Sequence, residues 1–263
     1  MGSLRDNLKS LQDKGDTAVI SFIMAALPDE NLCLDCIRAL EQGGCDVLEL
    51  GVPFTDPLAD GEVIERFHHR GTEQGLNLSK CLDFAGKVAK VSTMPLVLFC
   101  YYNPIYKMGW DKFVAEASSL GIQGLIVPDV PLDEMELLQC DAIEPIPMVA
   151  PSSSDERMQK AAEQDPSFIY CVSVRGVTGV RGELPEQEIR EYLGRVRSFS
   201  TAPLALGFGI SRPEQVKIFR GSANAVVVGS HLARTIEEYS SRPHLLPGEL
   251  EKIIRGLKQA GLS

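Results

Sequence analysis

The sequence predicts an α/β fold, a single (β/α)8 TIM barrel in one domain over residues 1–263, with an extra helix before its first strand. Three observations predict it: eight short apolar runs, stretches of helical period between them, and no break in composition that would set off a second domain. The runs are Ala18 to Met24, Val47 to Leu50, Pro95 to Phe99, Gly124 to Val127, Pro147 to Val149, Phe168 to Val172, Leu204 to Gly207 and Ala225 to Gly229. Strands apolar on both faces suit a parallel sheet covered by helices, and eight βα units in about 250 residues match a closed barrel.

The intervening segments with helical spacing include Cys33 to Gln42, Ser79 to Val91, Trp110 to Leu120, Glu156 to Glu163, Gln187 to Phe199 and Pro213 to Phe219. An amphipathic helix over Leu4 to Lys14 is expected to cap the barrel bottom, and one over Pro247 to Gln259 to close the outer ring. The competing open Rossmann-type sheet needs a G-x-G-x-x-G after its first strand, which this chain lacks.

Charge and composition exclude several classes. Lys and Arg total 26 against 36 Asp and Glu, a net charge of -10 without a basic stripe, which argues against nucleic acid. The apolar runs are far shorter than the roughly 20 residues needed to span a bilayer. Residues Met1 to Lys14 lack an apolar secretory core, so a cytoplasmic protein is expected. Seven cysteines scattered through apolar segments argue for a reducing compartment. Cys33 and Cys36 form a C-x-x-C, but on an apolar helical pattern without a second pair, which reads as packing and not as a metal site. His68 and His69 are adjacent, cannot share a metal as an i, i+4 pair could, and are expected at the surface.

The chemistry is concentrated in Asp46-Val-Leu-Glu49-Leu-Gly-Val-Pro-Phe-Thr-Asp56-Pro-Leu-Ala-Asp60-Gly61. Glu49 falls inside an apolar strand, on the face it shares with Val47, and is expected to point into the barrel near its C-terminal mouth, where active sites of this fold lie. Burial disfavours its charged form, so its pKa should rise toward neutrality, as a proton carrier requires. The alternative is a Glu buried in an ion pair. Asp60, like Asp56, lies in a loop shaped by Gly51, Pro53, Pro57 and Gly61, and its position also suits the N-cap of a helix beginning near Glu62. Glycine-rich turns at Gly176-Val-Thr-Gly179, Gly207-Phe-Gly209-Ile-Ser211 and Gly229-Ser230 follow late strands, the usual place for a phosphate in this fold.

The string LELGVPFTDPLADG, with Tyr101-Tyr-Asn-Pro, Val127-Pro-Asp-Val-Pro131 and the three glycine turns, in order over nearly the whole chain, resembles the tryptophan synthase alpha family. The resemblance implies a lyase of tryptophan biosynthesis that splits indole-3-glycerol phosphate into indole and glyceraldehyde 3-phosphate. It implies no metal or organic cofactor in this chain, and a pyridoxal phosphate beta subunit as partner in an alpha-beta-beta-alpha complex. Glu49 and Asp60 match the family's catalytic carboxylates; Gly179, Gly209, Gly229 and Ser230 match its phosphate-binding turns. Phe22, Tyr101, Tyr170 and Phe208 fall where the family lines its indole pocket, and Thr178 matches a residue that closes a mobile loop onto the catalytic Asp.

The chain departs from the family at Met24-Ala25-Ala26-Leu27-Pro28, where Thr-Ala-Gly-Asp-Pro is usual, and at Glu62 in place of proline. A free-standing indole-glycerol phosphate lyase, and a weakly catalytic barrel acting mainly as activator of a beta subunit, are the alternative readings. Fold physics alone also admits another phosphosugar barrel, although a Schiff-base aldolase needs a strand lysine that none of the apolar runs carries.

Overall fold

A computed structural model describes residues 3–172, 185–207 and 209–263. The chain enters through α1 (Leu4–Lys14), capped by the Ser3 side chain at one end and by Gly15 in the left-handed conformation at the other. Its buried Leu4 and Leu8 close the N-terminal end of the barrel, and Leu4 N–H donates to the Gln123 side chain at 2.6 Å. Then follow β1 (Ala18–Met24), α2 (Glu30–Gly43), β2 (Val47–Gly51), α3 (Glu62–Glu73), α4 (Leu78–Val91), β3 (Leu96–Phe99), α5 (Tyr102–Met108), α6 (Trp110–Ser119) and β4 (Ile122–Ile126). The second half runs through a 3₁₀ helix (Leu132–Leu138), β5 (Glu144–Pro145), β6 (Met148–Val149), α7 (Asp155–Glu163), β7 (Ile169–Val172), α8 (Glu186–Arg197) and β8 (Leu204–Gly207). It ends with α9 (Pro213–Phe219), β9 (Ala225–Val228), α10 (Ser230–Glu238), a 3₁₀ turn (Pro243–Leu245) and α11 (Leu246–Gly261).

All pairings are parallel, in the order β5-β4-β3-β2-β1-β9-β8-β7-β6. The ring closes because β5 and β6 are two halves of one run, interrupted by Pro147. Ile146 N–H donates to Leu125 O on one side, and Tyr170 N–H donates to Pro147 O on the other. The eight expected runs therefore form the barrel, and the fifth begins earlier than its apolar residues suggest. Glu144 breaks that apolar pattern because its carboxylate accepts from the Ser167 backbone and hydroxyl, and it still pairs with Gly124.

Outward residues of the strands meet the helices. Gly43 of α2 lets α11 approach until an added Cβ would lie 2.8 Å from Glu251 O, so the last helix seals the ring against the first βα unit. Cys33 and Cys36 are fully buried on α2, as packing residues. Asp46, at the start of β2, is a structural carboxylate: it accepts from Val19 N–H and from Lys258 Nζ, each at 2.7 Å. Among the described residues no helix is long and apolar enough to cross a membrane.

Candidate active site

Parallel strands bring all their C-terminal ends to one mouth, and the alternation of β2 decides what faces it. Leu48 and Leu50 point to the helices, while Glu49 and Gly51 point to the lumen. Tyr170 on β7, four places around the ring and so on the opposite wall, is coupled electrostatically to Glu49, as a lumen-facing carboxyl would be. Glu49 is 1% exposed, and its Oε2 has no hydrogen-bond partner among the described residues. Burial, and then the nearby charge of Asp60, push its pKa up to about 8. Among the described residues no ion pair to Glu49 forms.

Asp60 reaches the same mouth from the loop between β2 and α3. Its Oδ2 accepts from the Tyr101 hydroxyl at 2.7 Å and lies 3.1 Å from His68 Nε2. The Tyr101 oxygen itself accepts from Ala59 N–H at 3.0 Å, so its own proton is left for Asp60. Asp60 does not cap α3, contrary to one expectation: the N-cap is Gly61, with no side-chain cap bond. The carboxylate is drawn instead to Tyr101, which lies beyond the end of β3 and is 41 residues away in sequence. Asp56 stays exposed and bonds the neighbouring Thr55 hydroxyl.

His68 corrects a second expectation. It is not at the surface but wholly buried on the inner face of α3, whereas His69 beside it is exposed. Phe54 N–H donates to its Nδ1 at 3.0 Å, which places the ring proton on Nε2, facing Asp60. One turn further along the helix, Gly71 leaves room for Pro53: an added Cβ would lie 2.4 Å from Pro53 Cγ. The loop from Val52 to Asp60 is thus laid down on α3 at both its ends.

Aromatic side chains wall the space above Glu49. Phe22, the register partner of Glu49, meets Phe99 edge-on at 5.7 Å, and Phe99 meets Tyr101 edge-on at 6.3 Å. Phe54 stacks on Tyr101 at 4.9 Å with the planes 19° apart. Two glycines make these ring positions possible. A Cβ on Gly51 would fall 2.6 Å from the Phe22 ring, and one on Gly207 would fall 2.4 Å from the Tyr170 ring. Burial beside two carboxylates raises the pKa of the Tyr170 hydroxyl far above the usual tyrosine range, so it stays protonated. Phe54 and Phe99 were not singled out in the sequence, and His68 was expected at the surface; all three belong to this site by geometry.

At the same mouth, after β8 and β9, are Gly209, Gly229 and Ser230. Gly209 takes a left-handed φ of 74°, and its carbonyl accepts from Gln215 Nε2. The Gln215 Oε1 accepts from Ser211 N–H and Arg212 N–H, so this buried amide folds the whole turn. Its signal in the sequence is a Gln three residues after the helix cap. Gly229 caps α10, and an added Cβ there would lie 3.2 Å from Phe22 Cβ. The backbone N–H groups of Ser230, His231 and Leu232 precede the first intrahelical bond, from Ala233 to Gly229, and so head the helix with donors suited to an anion. Thr178, Gly179 and Phe208 lie outside the described residues.

A buried carboxylate unpaired among the described residues, with a hydrogen-bonded one, an aromatic wall and a helix N-terminus at the same mouth, suits proton transfer to an aromatic phosphate ester. Residues 8–261 match the family model described as tryptophan synthase alpha chain. The chain belongs to that family. The tryptophan synthase alpha chain of Syntrophomonas wolfei is 64% identical over 97% of this chain and 98% of its own. The crystal structure of tryptophan synthase subunit alpha from Legionella pneumophila superposes with a TM-score of 0.88 at 27% identity, covering 99% of this chain and 98% of its own. A chain from the Pyrococcus furiosus tryptophan synthase a2b2 complex gives a TM-score of 0.83 at 33% identity, covering 92% of this chain and 98% of that one. In the first βα turn of this member of the tryptophan synthase alpha family, Ala26 takes a left-handed φ of 58°.

Proposed function

We propose that Glu49 and Asp60 divide between them the reaction of this lyase, the retro-aldol cleavage of indole-3-glycerol phosphate to indole and glyceraldehyde 3-phosphate in tryptophan biosynthesis. The observation that carries this division is the contrast in their surroundings. Glu49, unpaired and with its pKa raised to about 8, holds a proton at neutral pH and can release it. It gives that proton to ring carbon C3 of the indole. The bond from C3 to the side chain then breaks, its electron pair returning to the ring, and the side-chain hydroxyl becomes the aldehyde as its proton passes back to Glu49. Positive charge that develops on the indole nitrogen is met by Asp60, held as an acceptor by Tyr101 and His68. The residues around Gly209, Gly229 and Ser230 would take the phosphate through backbone N–H groups, anchoring the substrate away from the breaking bond. Phe22, Tyr101 and Tyr170, with Phe54 and Phe99, would hold the indole.

Every step is a proton transfer or a charge contact that these side chains supply, which supports a chain working without a cofactor of its own. A pyridoxal phosphate beta subunit is the proposed partner, in an alpha-beta-beta-alpha arrangement. Two observations support it: the Pyrococcus furiosus relative comes from an a2b2 complex, and Leu58, beside the site, is 95% exposed.

Indole release from indole-3-glycerol phosphate, with and without a beta subunit, tests the assignment. The parent is expected to turn over, faster with the partner, and both Glu49→Gln and Asp60→Asn to lose at least about 100-fold in kcat, the scale of general acid–base catalysis. If the parent is no more active than Glu49→Gln yet still stimulates a beta subunit, the chain is an activator and the assignment is wrong. Full turnover by the isolated chain, without gain on adding the partner, marks a free-standing lyase.

A further inference from the structure

His68 stands out because it is a fully buried histidine that touches the proposed site at one remove and has both ring nitrogens engaged. Its Nδ1 is committed to Phe54 N–H, a backbone donor that cannot rotate away or be deprotonated. Only the tautomer with hydrogen on Nε2 satisfies both contacts, so the imidazole can do one thing toward Asp60: donate. A half-turn of the ring about Cβ–Cγ would put Cδ2 where Nδ1 stands and Cε1 where Nε2 stands, and so lose both contacts. The Tyr101 ring, edge-on at 5.9 Å, closes its other side.

We infer that His68 is a positioning residue for cleavage, which fixes the Asp60 carboxylate in place and in its accepting role by donating from Nε2 in a tautomer set by the Phe54 backbone. This rests on the proposed role of Asp60. Two donors, Tyr101 and His68, converge on a single oxygen, and with His68 removed the carboxylate keeps, among the described residues, only the Tyr101 donor and can swing about that contact. The loss falls on the step in which charge develops, not on substrate binding, because neither contact reaches the glycine turns.

Two amides separate the functions of the ring. In His68→Asn the amide oxygen takes the place of Nδ1 and keeps the Phe54 contact but lacks the donor to Asp60. In His68→Gln the amide nitrogen takes the place of Nε2 and restores that donor. For a positioning role, His68→Asn loses about 10- to 100-fold in kcat, the scale of one hydrogen bond to a charged group, with KM within about threefold of the parent. His68→Gln recovers most of that loss, and both variants still bind glyceraldehyde 3-phosphate by calorimetry.

The reverse order, with Asn active and Gln impaired, assigns His68 to bracing Phe54 and overturns the inference. So do two parent-like variants, two equally impaired ones, or loss of product binding along with activity in His68→Asn. Asp60→Asn measured alongside separates the two levels. If it is impaired while His68→Asn is not, only the role of His68 fails; if it matches the parent, the reading of Asp60 fails with it.

Discussion

Replacing Glu49 by glutamine should abolish cleavage and remove a loss of stability that the parent suffers as pH rises, and the second effect can be worked from the site. In the unfolded chain the carboxyl titrates at its ordinary value, 4.5; in the fold, burial and Asp60 move it to about 8. Below pH 4.5 both states are protonated and the buried carboxyl has its full stability. Between the two values the unfolded chain ionises and the folded one does not, so the parent loses about 1.36 kcal/mol per pH unit. Above the folded pKa both states ionise and the loss stops. From pH 5 to pH 7 the accumulated loss is about 2.5 kcal/mol. Glutamine has no such term, and its constant packing offset cancels in the comparison of two pH values. Urea denaturation of parent and Glu49→Gln at pH 5 and pH 7 reads this directly: the stability gap in favour of the variant should widen by about 2.5 kcal/mol, or roughly 5–10 °C in Tm for a chain of this size. A gap that stays constant means Glu49 is ionised in the folded chain, and its proton-carrying role goes with it.

Tyr101→Phe removes a hydroxyl that both accepts from Ala59 N–H and donates to Asp60. It should cost about 1–3 kcal/mol of stability in urea and about tenfold or more in kcat, with the aromatic wall intact; unchanged kcat would place Asp60 outside the reaction. Ala26→Gly, at a left-handed φ of 58°, should raise stability by up to about 1 kcal/mol, the strain relieved exceeding the entropy glycine loses on folding. A lower melting temperature would mean that the Ala26 methyl packs for more than its backbone costs.

The sequence made the barrel legible because its strands are buried on both faces and its helices on one, so period and apolarity coincide. It failed where polar side chains serve the fold at a distance. Gln123 interrupts the apolar run of β4, so the strand looks as if it starts at Gly124, but its side chain accepts from Leu4 on the N-terminal helix and the strand begins at Ile122. Asp60 sits where a helix cap belongs, and only the return of the chain at Tyr101 takes it elsewhere. His68 was hidden by its neighbour. A pair of adjacent histidines resembles a solvated surface, yet Ile64, Phe67, His68 and Gly71 form one helical stripe, and that spacing alone put His68 on the inner face.

The same segment shows why Glu49 carries more weight than burial alone would give it. Asp46 and Glu49 lie three residues apart, the one largely and the other wholly removed from water, but the fold treats them oppositely. Asp46 receives a lysine and a backbone amide, the partners a buried carboxylate needs if its task is to hold structure. Among the described residues Glu49 receives neither, and its buried Oε2 has no hydrogen-bond partner. Asp60, among the described residues, receives donors from Tyr101 and His68 on its Oδ2. In the proposed reaction it is therefore Glu49 that carries the proton, and its unmet oxygen is the acceptor for the substrate hydroxyl's proton as the carbon bond breaks.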